Sequence, residues 1–537
     1  MNHPDAPKIK TNGSALASLA LVFFFWGFIA ASNSIFIPFC KSHFHLSQFE
    51  SQLIGSSFYG AYFIGSLLLY LISSMVGYDI LNKIGYKKGI IYGLLISVVG
   101  ALAIIPSANA NSFPAILVSF FVVALGFSLQ QTAAQPFAIA LGDPATGSHR
   151  LNLTGGINSF GTTLGPIIVS FFLFGSVGTA IENVTVTNIN NLYLIVAGIL
   201  LAVALFFALS KKLPDGKNEA KFEASKNASK SLIVLTGLII AIIIIGQLTN
   251  IEKLPLLIVT LFVVFFTLFY SNNKAIKNNE GWGAMKYPQL VYGMIGIFIY
   301  VGTEVTIDNN FGALLKTPGY LTQLGLDESK ISKFVSLYWG SLMIGRWTGA
   351  IGVFNLSNMS KKIATIVVPF IAFGVVLFVN HLYGNDIMEL LPYTICIIIA
   401  IAAFFYGQEK PAKTLLTLAV LGTISMIAGI TLTGIVSVYA IIFGGLCCSI
   451  MWPCIFSLGV AGLGKYTSQG SAFLIMMILG GAVIPPFQGA LGDTFGMHPS
   501  YIVAASCFAA LAFLAIKLKS VLKAQGLDFD SQVASGH

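Results

Sequence analysis

"SLQQTAAQPF", residues 128–137, lies inside an apolar run from 113 to 141 and carries three amides, Gln130, Gln131 and Gln135, into it. A helix crosses a bilayer in about 20 residues, so the run is long enough to span one. A side-chain amide left unpaired in that medium costs several kcal/mol. The three amides must therefore tie helices together or face a wet internal cavity.

Composition decides that this stretch belongs to an integral membrane protein. The 537 residues are 56% hydrophobic and 9% charged, with a mean hydropathy of +0.85, whereas soluble domains carry about 25% charged residues. Sixteen candidate spans follow: 15–38, 52–76, 88–107, 113–141, 151–175, 190–210, 232–247, 254–270, 288–312, 331–354, 363–381, 391–406, 414–432, 434–460, 470–491 and 499–516. The first is too long for a secretion signal's apolar core and lacks a cleavage site, so it reads as a spanning helix. The alternating short strands of an outer-membrane barrel are not seen. The six cysteines form no CxxC pair and read as small core residues.

With a cytoplasmic N-terminus, alternation of spans leaves only Lys41, Lys253, Lys316, Lys330 and Lys333 of the 29 Lys and Arg on the outer side. That bias sets the orientation, with both termini inside. The net charge of +9 is then accounted for by anionic lipid at the cytoplasmic face, without nucleic acid.

Glycine and proline spacing suggests an internal repeat. "PFAIALG" in span four and "PCIFSLG" in span fourteen place Pro136 and Pro453 alike, and "GTTLGP" (161–166) and "GAVIPP" (481–486) follow in the next helices. Parallel halves with matched breaks are a transporter architecture. Six spans in each half leave two hairpins, near 232–270 and 363–406, inserted in pairs that preserve topology.

Several stretches carry a resemblance: "FFFWGFIAASNSIFIPF", "QQTAAQPFAIALGDP", "RLNLTGGINSFGTTLGP", "GIFIYVGTEVTI", "YWGSLMIGR" and the long run from Ser449 to Asp493. On these the chain resembles the major facilitator superfamily and, within it, the fucose:proton symporter family of L-fucose permeases and bacterial glucose/galactose permeases. The resemblance implies an all-α polytopic fold of two six-helix bundles, here with two inserted transmembrane hairpins, rocking about a sugar site near the membrane midplane. The expected division is an N-terminal bundle (1–212), a cytoplasmic linker with the first hairpin (213–286), a C-terminal bundle holding the second (287–523) and a cytoplasmic tail (524–537). The family pattern also implies a proton-handling carboxylate in span one and, in fucose permeases, another in span four. Asn33, Ser34 and Ile35 stand here where the pattern has Asn-Asp-Ile, and Gln131 stands where fucose permeases have Glu. The Gln is shared with the glucose/galactose branch; the loss of the first acid is not.

Of twenty acidic residues only Glu304 and Asp308 fall well within a span, one turn apart on one helix face. Carboxylates at that depth line internal cavities or pair with buried groups. Glu304 can accept sugar hydroxyls, carry a proton, join a cation site or be locked to a buried partner; Asp308 is an ion-coupling candidate or a solvated residue near the outer end. Gln131 and Gln135 share a face and Gln130 points about 100° away. Neutral amides match hydroxyls that both donate and accept, and the alternative is interhelical glue. Asn33 and Asn158 are weighed the same way and favoured as sugar contacts by their place in the resembling motifs. Trp452 offers a flat face for a pyranose. Arg150 and Arg346 read as gate or cytoplasmic-motif residues at helix ends.

No HExxH, histidine cluster or phosphate loop is present, so neither catalytic nor metal residues are assigned and no cofactor is expected. The reading is a secondary hexose transporter of glucose/galactose type in the inner (cytoplasmic) membrane, a monomer that meets a sugar and lipid. A proton, sodium or no coupling ion stay open. The alternatives are a fucose or N-acetylglucosamine permease and, in another class, a nutrient sensor or accessory subunit.

Overall fold

The computed structural model describes residues 10–46, 48–174, 185–217, 223, 225–249, 251–317, 331–354, 356–407 and 410–527. They form helices and no strand. The first group comprises α1 (Gly13–His43), α2 (Gln48–Val76), α3 (Tyr86–Asn109), α4 (Phe113–Ala140), α5 (Gly147–Phe174) and α6 (Val186–Leu209). An inserted hairpin follows, α7 (Lys226–Leu248) and α8 (Lys253–Lys277). The second group is α9 (Pro288–Leu315), α10 (Ile331–Gly349) and four helices that follow another hairpin, α11 (Asn358–Leu382) and α12 (Thr394–Gly407). These four are α13 (Pro411–Thr431), α14 (Gly434–Cys448 and Met451–Val460), α15 (Thr467–Met476, then Gly480–Phe495 after a 3-10 turn) and α16 (Ile502–Ala524).

Helix starts follow local chemistry. Ser112 caps α4 by accepting from the Ala115 amide, with Pro114 in the first turn, where a missing N–H costs nothing. Thr185 and Asn188 form a reciprocal capping box on α6.

Fourteen helices among the described residues are long and apolar enough to cross a membrane. The two expected spans outside that set are α5 and α10. α5 is rich in Asn, Thr, Ser and Gly, and α10 carries Lys333 and Arg346. Their polar residues lower their hydropathy; α5 packs on α10 at the centre, where Arg346 meets α5, while Lys333 is paired with Glu389 of the second hairpin. α5 also meets the second half of α14, and α2 and α4 pack against α15.

Burial separates centre from periphery. In the apolar stretch of α9 89% of the residues are buried inside the protein, against 17% in α7 and 28% in α8. α7 leans on α2, α8 on α9 and α15, α11 on α10, and α12 on α13 and α14. The hairpins therefore stand outside the two groups, their outer faces turned to where lipid would be.

The repeat is visible in backbone contact. A Cβ on Gly161 of α5 would lie 2.2 Å from the Phe24 carbonyl oxygen of α1, and one on Gly480 of α15 would lie 1.8 Å from that of Phe298 in α9. Only glycine permits such helix crossings. The matching glycine is Gly480, one residue before the expected Gly481, which instead packs against Tyr59.

Candidate functional site

The first acid of α9 is not alone. Glu304 Oε1 lies 3.3 Å from Arg346 Nη2, with each side chain 13% exposed. Arg346 also donates to the Ser449 carbonyl in the break of α14 (3.1 Å), to the Ser159 hydroxyl of α5 (2.8 Å) and to the Tyr300 hydroxyl (3.4 Å). The Ser449 contact has a covalent cause: Pro453, four residues on, has no N–H to give that carbonyl. One guanidinium thus joins α9, α14 and, across the groups, α5.

This corrects the placing of Arg346 at a cytoplasmic helix end. Its backbone does sit in the last turn of α10, but its long side chain carries the charge inward. Sequence position gives the depth of a Cα, not of a guanidinium.

Around the pair, Tyr338 donates to the Glu304 carbonyl at 2.7 Å. The Trp452 ring lies 6.1 Å from that of Tyr300 and stacks at 6.0 Å on Phe456, half-buried. Asp308, half-buried one turn along, neighbours Trp339 and the α2 residue Tyr59. Among the described residues no cation pairs with Asp308.

The amides divide. Gln130 is fully buried, accepting from Trp26 Nε1 at 2.6 Å and donating to Ser97 at 3.1 Å. It ties α1, α3 and α4 and leaves the set of expected sugar contacts, because both ends of its amide are engaged. Gln131 is half-buried and donates to the Tyr62 hydroxyl at 2.9 Å. Gln135 is 5% exposed and meets no hydrogen-bond partner among the described residues. Asn158, half-buried, donates to the Phe23 carbonyl at 2.9 Å and so ties α5 to α1. The Asn33 side chain lies outside the described residues.

Arg150 is fully buried at the start of α5. It donates to the carbonyls of Ala138, Ile139 and Asp143 at 2.8, 2.6 and 2.6 Å. The first two are orphan acceptors in the last turn of α4 and the third lies in the following turn, so Arg150 caps that helix and fixes the α4–α5 turn.

The Lys-rich end of the molecule is closed across the groups. His149 Nδ1 donates to the Gly349 carbonyl (3.0 Å), Trp347 Nε1 to that of Gly156 (3.1 Å), Asn82 to that of Lys465 (3.2 Å), and the Ser468 hydroxyl to Asp79 (2.9 Å). The central cluster therefore lies beneath a shut end, lined by a paired acid, a lone acid, amides and aromatic faces. It can recognise a neutral ligand with many hydroxyls; among the described residues nothing in it is arranged as a nucleophile with a base.

Sequence reasoning missed Tyr59, Tyr62, Ser159, Tyr300 and Tyr338. The spacing of Tyr59 and Tyr62, three apart in an apolar span, was a usable signal, since a buried Tyr hydroxyl seeks a partner.

The chain is similar to known proteins along nearly its whole length. A glucose/galactose transporter of Brucella abortus is 29% identical over 511 residues, covering 95% of each chain. An L-fucose-proton symporter of Escherichia coli is 23% identical over 523 residues, covering 95% of this chain and 94% of the other. A crystal structure of the Escherichia coli fucose:proton symporter matches with a TM-score of 0.63 at 21% identity, covering 95% and 99%. The family model described as the Major Facilitator Superfamily matches residues 18–408. With that match over most of its length, and the paired helix groups to go with it, this chain is a membrane protein of the Major Facilitator Superfamily.

Proposed function

We propose that the chain imports a hexose of the glucose/galactose type by alternating access, in the cytoplasmic membrane with its Lys-rich end and both termini inside. The observation that carries this reading is the Arg346 hub, which couples Glu304 in one group to Ser159 in the other beneath a closed end. A group at that junction can sense a ligand and transmit its presence to closure. Gln131, Gln135 and Asn158 supply the neutral donors and acceptors that a sugar ring needs, and Trp452 the apolar face. The name of the 29% identical relative supports a glucose/galactose substrate; that of the 23% identical one keeps a deoxyhexose as the second reading.

Coupling is assigned to a proton, on Asp308 rather than Glu304. Glu304 already has a cation at 3.3 Å, whereas Asp308 has none among the described residues, so a proton is the simplest way to neutralise it. The two groups of helices serve as the rocking domains, 1–212 and 287–523, with one chain as the working unit.

The test is uptake of radiolabelled glucose, galactose and fucose into proteoliposomes under imposed proton or sodium gradients. Accumulation driven by the proton gradient and lost in Asp308→Asn is expected. Sugar that neither binds nor crosses would leave a sensor, and accumulation driven only by sodium would sink the proton assignment.

A further inference from the structure

Pro136 and Pro453 stand at matching places in α4 and α14. Each deprives a carbonyl one turn back, Thr132 or Ser449, of its helical donor. The two carbonyls are satisfied differently. Ser449 is taken by Arg346 at 3.1 Å, from α10 of its own group, and that bond survives a rigid rocking of one group against the other. Thr132 accepts from the Ser471 hydroxyl at 2.8 Å, and Ser471 belongs to α15 of the opposite group. Opening the Lys-rich end must pull that hydroxyl away.

A bare carbonyl at this depth is unfavourable, so something must replace Ser471 when it leaves. The neighbourhood suits a hydroxyl. Gln131 precedes Thr132 in the chain with only its amide nitrogen engaged, by Tyr62. Gln135, in the next turn, is 5% exposed and without a partner among the described residues. Ser471 presents to the carbonyl the same O–H that a sugar would.

We propose that the Thr132 carbonyl, freed by Pro136, is a hydroxyl-binding subsite of the transport path, filled by Ser471 in this closed state and by a hydroxyl of the transported polyol once the Lys-rich end opens. The proposal rests on the sugar-transport reading and gives it a site element specific to one side of the membrane.

Pro136→Ala returns an N–H to the Thr132 carbonyl and should therefore occupy the subsite permanently. Sugar flux is measured from each side, in right-side-out and inverted vesicles. From the Lys-rich side KM should rise about tenfold, the loss of roughly one good hydrogen bond, and from the other side it should stay within about twofold. Ser471→Ala removes the competing hydroxyl and should lower KM from the Lys-rich side only; the double variant should match Pro136→Ala. Equal shifts on both sides, or none, overturn the subsite while leaving transport intact. Should Pro136→Ala not assemble, Ser471→Ala decides alone, an unchanged KM counting against the proposal. An unaltered protein that moves no sugar from either side overturns the transport reading and the subsite with it.

Discussion

The strongest single constraint at the residue scale is the pair of Glu304 and Arg346. Burying two charges costs more than their attraction commonly returns, so such a pair is weak evidence of stabilisation; its reach from α9 to Ser159 of the other group is what gives it a role. Glu304→Gln leaves the guanidinium uncompensated, a loss of about 3–5 kcal/mol for a buried charge. Uptake should vanish and the detergent melting temperature should fall. Arg346→Lys should not retain function, because a point charge cannot span Ser449, Ser159 and Glu304 together; wild-type uptake in that variant would show the fork to be dispensable. The adjacent glutamines should separate cleanly. Gln130→Ala removes a tie between helices and should destabilise by about 1–2 kcal/mol with little change in KM. Gln131→Ala should raise KM about tenfold with little change in melting temperature, the loss of roughly one ligand hydrogen bond. Melting and uptake of both variants decide it, and the reverse pattern would show the amides to be misassigned. In the sequence only the family resemblance at Gln131 and a difference of about 100° in direction separated the two, since which neighbour waits in that direction is set by α1 and α3.

At the scale of elements, the turn between α2 and α3 carries a pH dependence. Asp79 caps the short helix Ile80–Ile84 and accepts from the Asn82 amide and from Ser468 across the groups, each at 2.9 Å. Burial pushes its carboxyl above the usual value, and hydrogen bonds from Asn82 and Ser468 pull it partly back. A carboxyl raised on folding contributes stability that is complete below the ordinary carboxylate value and is lost as pH rises through the raised one. Wild-type melting temperature should therefore decline across that interval, and Asp79→Asn should remove the decline; a profile identical in the two proteins would rule the group out. The prolines and glycines of the repeat were legible because their effects are covalent: a missing N–H or a missing Cβ acts wherever the helix lies. Which group answers a freed carbonyl was not, because Arg346 and Ser471 reach Ser449 and Thr132 from helices distant in sequence.

Over the whole molecule, the inserted hairpins are attachments to a core. The second is pinned at the connection between α11 and α12 by an ion pair between Lys333, 1% exposed in α10, and Glu389, whose carbonyl also accepts from Tyr439. Deleting 356–409 removes two spans, so a fluorescent reporter on the C-terminus should stay on the same side of the membrane as in the intact chain. The deletion strands the Lys333 charge, and Lys333→Leu should recover part of the lost melting temperature, since an unpaired buried charge is worse than an apolar side chain. A reporter that changes sides would show that the hairpin does not cross the membrane twice.

The sequence by itself determined that the chain is a helical membrane protein, where its helices lie to within about eight residues at their ends, and that it carries matched breaks in two halves. These follow from local quantities, hydropathy over about 20 residues and the covalent limits of Gly and Pro. Only the tertiary structure decided which polar groups are partners and which are left to meet a ligand: Gln130 sealed against Trp26 and Ser97, Arg346 drawn inward to Glu304, the Thr132 carbonyl held by Ser471. In an apolar medium every polar group needs a partner, but the identity of that partner depends on contacts between segments hundreds of residues apart, to which no local pattern is sensitive.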